Sequence, residues 1–262
     1  MEHPTGLIGS PSPRPTLGYR LVGLGIRFLG RFVFAFRTEV VGLEHLPRDP
    51  DGRVVGGWIA AGLPHRTWVD PFVVVDALPT RPRLVFFGDG PAIFRSAWRR
   101  WLVRRVGGVI PIWPGGGRDA VEAHLAGARA ALEAGSVVCL FPESGRATPA
   151  GTARPLGLGV AYFALRADRP IVPLILGGTH ELFRGRRFRL VVLPPVTARE
   201  LAGLAPDAPV PDSWSSAERA LAHRIATGLH ERTAEPVAEA HAATRPPPGT
   251  RKPWRWLQTA WH

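Results

Sequence analysis

The sequence predicts an α/β fold, with a mixed, mostly parallel sheet flanked by helices and an N-terminal amphipathic, membrane-associating helix in front of it. Three observations predict it. From residue 40 to about 195, β-branched apolar runs alternate with helix-like segments, the pattern of strands joined by helical crossovers. Glycine and proline bound the runs, so each is short and sharply ended. The chain has 262 residues, 45% of them apolar, and no internal repeat, which is enough for one well-buried core.

The elements follow in order. Residues 1–16 are rich in Pro, Gly and Ser and are expected to be disordered. They lack the charged start and apolar run of a secretory signal. Next comes LGYRLVGLGIRFLGRFVFAFR, whose apolar run from Leu21 to Phe36 is 16 residues long and holds Arg27 and Arg31. A spanning helix wants about 20 mostly apolar residues. Arg20, Leu24, Arg27 and Arg31 fall on one helical face, with most of the leucines and phenylalanines elsewhere. That suits a helix lying in a membrane interface with its guanidinium groups among the headgroups. It also suits a helix packed on the protein's own core. The glycines at 23, 25 and 30 weaken it in either role.

Strands are expected at 53–60, 83–87, 108–112, 136–141, 171–176 and 188–194, and helices at 71–78, 92–106, 118–134, 156–167 and 215–232. The helix ending at Ala134 has Gly135 placed to stop it. Residues 203–214 read as a loop, and the stretch from Pro236 as a Pro-, Trp- and Arg-rich tail whose default is disorder. This divides the chain into 1–39 (disordered start and amphipathic helix), 40–200 (the α/β domain) and 201–262 (loop, C-terminal helix and tail).

The net charge is +12, and Lys252 is the only lysine, so 32 of the 33 basic residues are arginine. Such a skew follows genome composition as much as selection for charge. A charge of this size still favours anionic lipid, anionic substrates or nucleic acid. Arginines beside Trp and Phe in 92–106 (AIFRSAWRRWLVRRV), and beside Trp254, Trp256 and Trp261 in the tail, suit a lipid interface. Core packing with solvated arginines explains the 92–106 pattern equally well. With one cysteine, Cys139, no internal disulfide can form.

Chemistry concentrates in two stretches. GLPHRTWVDP, residues 62–71, places His65 and Asp70 with four residues between them after an expected strand. Asp70 precedes Pro71, which disfavours the helical region for it and makes it an expected N-cap. The same turn could bring its carboxylate to the imidazole. A carboxylate on one ring nitrogen fixes the tautomer and leaves the other nitrogen to take a proton from a hydroxyl. The spacing alone leaves capping and orienting both open. The second stretch, CLFPESGRAT (139–148), ends a strand in a proline turn and presents Glu143 and Arg146 around Ser144 and Gly145. An arginine beside a glycine that exposes backbone is a good anion clamp, while a surface salt bridge would use the same residues.

Together the two stretches resemble the glycerolipid acyltransferase family, the lysophosphatidate (1-acylglycerol-3-phosphate) acyltransferase-like enzymes, over about residues 40–195. Pro64, His65 and Asp70 are similar to the family's Asn-His-x4-Asp block. Phe141 to Arg146 resemble its Phe-Pro-Glu-Gly-Thr/Ser-Arg block, and Ile171-Val172-Pro173 its later Val-Pro block. The departures are Pro64 in place of Asn, Ser144-Gly145 in place of Gly-Thr/Ser, and Pro114 where the second block carries a phosphate-holding arginine. Arg118, a few residues on, is the candidate substitute.

The resemblance implies transfer of a fatty acyl group from acyl-CoA or acyl carrier protein to the hydroxyl of a lysophospholipid such as 1-acyl-glycerol-3-phosphate. His65 would be the general base, with Asp70 orienting it. Glu143, Ser144, Gly145, Arg146 and Arg118 would bind substrate, with Arg146 on phosphate. No metal or cofactor is expected beyond the thioester co-substrate. The expected location is the cytoplasmic face of the cell membrane, held peripherally to an anionic surface, with no nucleic-acid partner. The rival reading is a basic, non-catalytic lipid-binding protein that keeps the fold, as Pro64 and Pro114 would suit. No Gly-x-Ser-x-Gly elbow, Walker loop or Cys/His metal spacing occurs. PGGGRD (114–119) is glycine-rich before a helix but needs no ligand, and His180 in GGTHE reads as structural.

Overall fold

The computed structural model describes residues 6–115, 117–143, 151–205 and 207–258. In chain order it runs α1 (Leu17–Phe28), β1 (Arg37–Val41), β2 (Ile59–Leu63), α2 (Asp70–Ala77), β3 (Leu84–Asp89), α3 (Gly90–Phe94) and α4 (Ala97–Val106). It continues through β4 (Val109–Ile112), α5 (Gly117–Glu133), β5 (Val137–Leu140), α6 (Gly159–Ala167), β6 (Ile171–Gly177), β7 (Arg187–Val192), α7 (Ala198–Ala202) and α8 (Ser216–Ala243). The expected class, a mostly parallel mixed sheet flanked by helices, is what forms. Internal contacts divide the chain into two units, one of residues 1–25, 47–60 and 79–140, the other of 26–46, 61–78 and 141–262.

In the first unit the strand order is β5-β3-β4, all parallel, with Leu84 opposite Val137 and Phe86 opposite Val109. Val85, Ile110, Val138 and Cys139 are fully buried. The continuous apolar runs are what strands covered on both faces demand. Helix α5 buries Ala128, Ala131 and Leu132, and Gly135 follows it with φ +87, the left-handed conformation that ends a helix. Residues 6–16, expected to be disordered, are instead held down. Ile8 bridges Val109, Ser136 Oγ donates to Pro11 O, and the buried Arg83 donates to Ser10 O and Val106 O. Proline-rich chain leaves carbonyls free, and an inward guanidinium takes them up.

The expected strand at 53–60 lies elsewhere: β2 is Ile59–Leu63. Gly57 has φ +82, which breaks an extended run, while IAAGL has few of the β-branched residues that mark a strand. The helix expected at 92–106 is interrupted at Ser96, which is extended (φ −120, ψ 148) and divides α3 from α4.

In the second unit the order is β1-β7-β6-β2. β1 runs parallel to β7 and β6 antiparallel to it, with Leu174 opposite Val192. All seven residues of β6 are buried. Leu63, Ile175, Val237 and Ala240 form one buried cluster, so α8 packs directly on β6 and β2. Helix α8 overruns its expected end at 232 and passes through Pro236 to Ala243. Proline removes one backbone donor and interrupts a helix, but Val237 and Ala240 beyond it are buried on the sheet. Tertiary packing therefore carries the helix past its breaker. The C-terminal stretch, expected to be disordered, is tied in: Lys252 Nζ lies 2.8 Å from Glu181, Trp254 meets Phe34 edge-on, and Leu257 is buried.

Helix α1 continues into one π-helical turn over Leu29–Val33. Leu17, Leu21, Leu24 and Phe28 are exposed along it while Tyr19 and Gly23 are buried. Arg27, expected among headgroups, instead donates to Val75 O and Leu78 O at the end of α2. Arg20 and Arg31 are exposed. Among the described residues no helix is long and apolar enough to cross a membrane.

Candidate active site

Strand β2 ends at Leu63 and the chain turns through Pro64 into the His65 loop, which closes on α2. Asp70 is the first residue of that helix rather than its forward cap, and Pro71 sits in the first turn. Its carboxylate folds back into the loop. Oδ2 accepts from Arg66 N–H at 2.6 Å and Thr67 N–H at 2.8 Å, and lies 2.7 Å from His65 Nδ1. One buried oxygen thus satisfies two backbone donors and the ring. Because a carboxylate can only accept, Nδ1 carries the proton of this contact, and in the neutral ring Nε2 bears the lone pair. Asp70 is fully buried, and the His65 side chain is 35% exposed. The imidazole is therefore fixed at one nitrogen and open to a ligand at its edge.

Two further groups fix the loop. The His65 ring stacks on Phe141, with centroids 4.5 Å apart and planes at 25°. Phe141 can lie there because residue 62 is glycine: a Cβ on Gly62 would stand 2.5 Å from the phenyl ring. Glu143 then clamps the backbone. Its Oε2 accepts from His65 N–H and its Oε1 from Arg154 N–H, each at 3.1 Å. Burial raises the Glu143 pKa above the usual carboxylate value; those two amides and the charges of Arg66 and His65 oppose it. Burial likewise lowers that of Arg66, against the pull of Glu143 and Asp70.

His65, Asp70 and Glu143 therefore come together as one assembly. Ser144, Gly145 and Arg146 lie outside the described residues. Arg118 is exposed in the first turn of α5, in the other unit. Phe141 opens the FPE stretch and Gly62 stands one residue before the end of β2, but nothing in the sequence shows that one makes room for the other beneath His65.

Immediately after the His65 loop the chain lines a cavity of about 630 Å³. Trp68, Val69 and Phe72 form one wall and Leu29, Phe34 and Phe36 another. Arg27 and Arg31 also border it. Trp68 Nε1 donates to Leu257 O, so the C-terminal stretch braces this wall.

No curated protein sequence matches the chain. The crystal structure of the 1-acyl-sn-glycerophosphate (LPA) acyltransferase PlsC from Thermotoga maritima shares the fold, with a TM-score of 0.53 and 18% identity over 83% of this chain and 81% of that one. A family model described as Acyltransferase matches residues 37–177, which contain His65, Asp70 and Glu143. By that match over more than half its length, the chain belongs to the acyltransferase family.

Proposed function

We propose that the protein transfers a fatty acyl group from a thioester, on coenzyme A or acyl carrier protein, to the hydroxyl of a lysophospholipid such as 1-acyl-glycerol-3-phosphate. The observation that carries this reading is the 2.7 Å contact between His65 Nδ1 and the buried Asp70 carboxylate beside an open imidazole edge. Nε2 takes the proton of the acceptor hydroxyl as its oxygen attacks the thioester carbonyl. The tetrahedral intermediate then collapses, the C–S bond breaks, and the thiolate leaves and takes up that proton from the imidazolium. Asp70 holds the ring and offsets its transient charge. Glu143 holds the loop by its backbone, and the apolar cavity beside Trp68 and Phe72 takes an acyl chain.

Arg146, on the segment that Glu143 begins, binds the acceptor's phosphate, with Ser144 and Gly145 shaping the approach and Arg118 as a second candidate contact. The exposed leucines of α1 and the flanking arginines support peripheral attachment to an anionic membrane surface at its cytoplasmic face. The mechanism asks for no metal or cofactor besides the thioester. Thiol release from acyl-CoA, followed with and without lysophosphatidate, tests the proposal. The expected result is acceptor-dependent release with phosphatidate as product. Absence of release, or release indifferent to the acceptor, supports the non-catalytic lipid-binding reading instead.

A further inference from the structure

On the α8 side of the His65 loop lies a second recess that the motifs do not explain. A narrow crevice bordered by Pro64, Arg66, Thr179, His180 and His241 meets a basin of about 460 Å³ that also includes Arg245 and Lys252. The two share His180 and His241, whose rings lie 4.7 Å apart. Positive charge dominates here. Arg66, Arg186, Arg245 and Lys252 face the histidine pair or the basin; among the described residues the carboxylate lining it is Glu181, while Glu143 and Asp70 act on Arg66 from the His65 loop. Glu181 is already engaged, 2.8 Å from Lys252 Nζ and 3.6 Å from Arg255.

Burial and the neighbouring cations act together on the two histidines. Burial and then Arg186, His241 and Arg66 push the His180 pKa down to about 4, and burial followed by Arg66, Arg245 and Arg186 lowers that of His241. Inside the crevice the Thr179 hydroxyl is 1% exposed and has no hydrogen-bond partner among the described residues. Nη2 of the buried Arg186 is in the same condition, although its Nε and Nη1 are bonded to Gly178 O and Thr244 O. Buried donors left unpaired are costly. Of the two, Thr179 lines the crevice, and an acceptor with several oxygens and negative charge answers its hydroxyl and the surrounding cations.

We propose that Arg66, Thr179, His180, His241 and Arg245 form a binding site for a phosphate group. Arg66 directly follows His65, so the site shares a loop with the base. The chain has Pro114 where its family resemblance places a phosphate-holding arginine, and this cluster, on the turns after β2 and β6 and at the C-terminal end of α8, supplies a further phosphate contact. As a subsite of acyl transfer it rests on the reading above; as a phosphate site it does not. Two ligands share the chemistry: the phosphate of a lysophospholipid headgroup and the phosphates of coenzyme A.

Calorimetric titration of the full-length protein with inorganic phosphate, glycerol 3-phosphate and adenosine 3′,5′-bisphosphate tests it. Wild type is expected to bind, and Arg245→Gln and Thr179→Val each to weaken binding about tenfold, as for the loss of one charge-assisted contact. Arg245 is exposed, so its variant keeps the fold even if the Thr179 variant does not. Preference for glycerol 3-phosphate assigns the site to the acceptor, and preference for the bisphosphate to the donor. Absence of binding by wild type, or equal affinity in wild type and Arg245→Gln, overturns the proposal. Because binding is read without turnover, a protein that binds phosphate in this pattern yet transfers no acyl group keeps the site and loses the proposed activity.

Discussion

Asp70 is a more informative position than its burial alone suggests, because one oxygen serves the His65 ring and two backbone amides at once. Asp70→Asn keeps an acceptor but can offer its NH2 to Nδ1, which favours the wrong tautomer. Turnover is expected to fall by about 100-fold or more, and the melting temperature to fall with it, because an NH2 in the place of Oδ2 leaves Arg66 N–H and Thr67 N–H without their acceptor; kinetics and a thermal melt on one sample check both. Glu143→Ala differs in kind. It strips the acceptors from two amides, His65 N–H and Arg154 N–H, so a stability loss of about 1–3 kcal/mol per unpaired donor accompanies lost activity. Denaturant titration reads it, and Glu143→Gln, which retains the Oε1 acceptor, is expected to recover part of the loss. Gly62→Ala acts through the ring it displaces. The new methyl collides with Phe141, costing about 1–3 kcal/mol by overpacking and tilting the surface on which His65 rests.

Among the elements, the strands β3 to β7 were legible because Val, Ile, Leu and Phe fill them and Gly and Pro end them. β2 lies later than expected because IAAGL carries its apolar character in small residues. The approach of His65 to Asp70 was legible as a spacing; the stack on Phe141 was not, since it joins residues 76 positions apart in the sequence. Helix α7 is not among the expected helices, although Thr197-x-x-Glu200 caps it. Thr197 Oγ1 accepts from Glu200 N–H, and Glu200 Oε2 accepts from Thr197 N–H.

Helix α8 is held at its start by a contact no local pattern announces. Arg166 Nε and Nη2 donate to the two oxygens of Glu218 at 2.7 and 2.9 Å, Trp214 N–H adds a third bond, and the guanidinium lies over the Trp214 ring. Burial raises the Glu218 pKa, but the arginine and the amide outweigh it and leave it below the usual 4.5. The sign follows: this carboxylate's contribution is fully present above its unfolded pKa and fades as pH falls through the lower folded value. Glu218→Ala, which strands the arginine, is expected to cost about 3–5 kcal/mol near neutral pH. The gap from wild type should narrow below about pH 4.5 in urea titrations.

At the scale of the molecule, a net charge of +12 and a row of exposed leucines on α1 would act together on the anionic membrane surface proposed as partner. Leu17, Leu21 and Leu24 are each more than half exposed, and burying them in an interface releases that apolar surface from water. Leu21→Glu with Leu24→Glu is expected to reduce sedimentation with vesicles containing anionic lipid by about tenfold or more, and added salt to weaken the wild type as well. Vesicle binding equal in the double variant and wild type would place the attachment on another surface, such as α4 with its exposed Trp98 and Trp101.

The central claim is that the imidazole at position 65 removes the acceptor's proton. Its most direct measurement is the acyl-transfer rate of His65→Ala beside wild type at saturating lysophosphatidate and acyl-CoA, with vesicle binding recorded for both. The account predicts a fall of about 100- to 10,000-fold in rate with vesicle binding preserved; a variant that turns over as fast as wild type would contradict it.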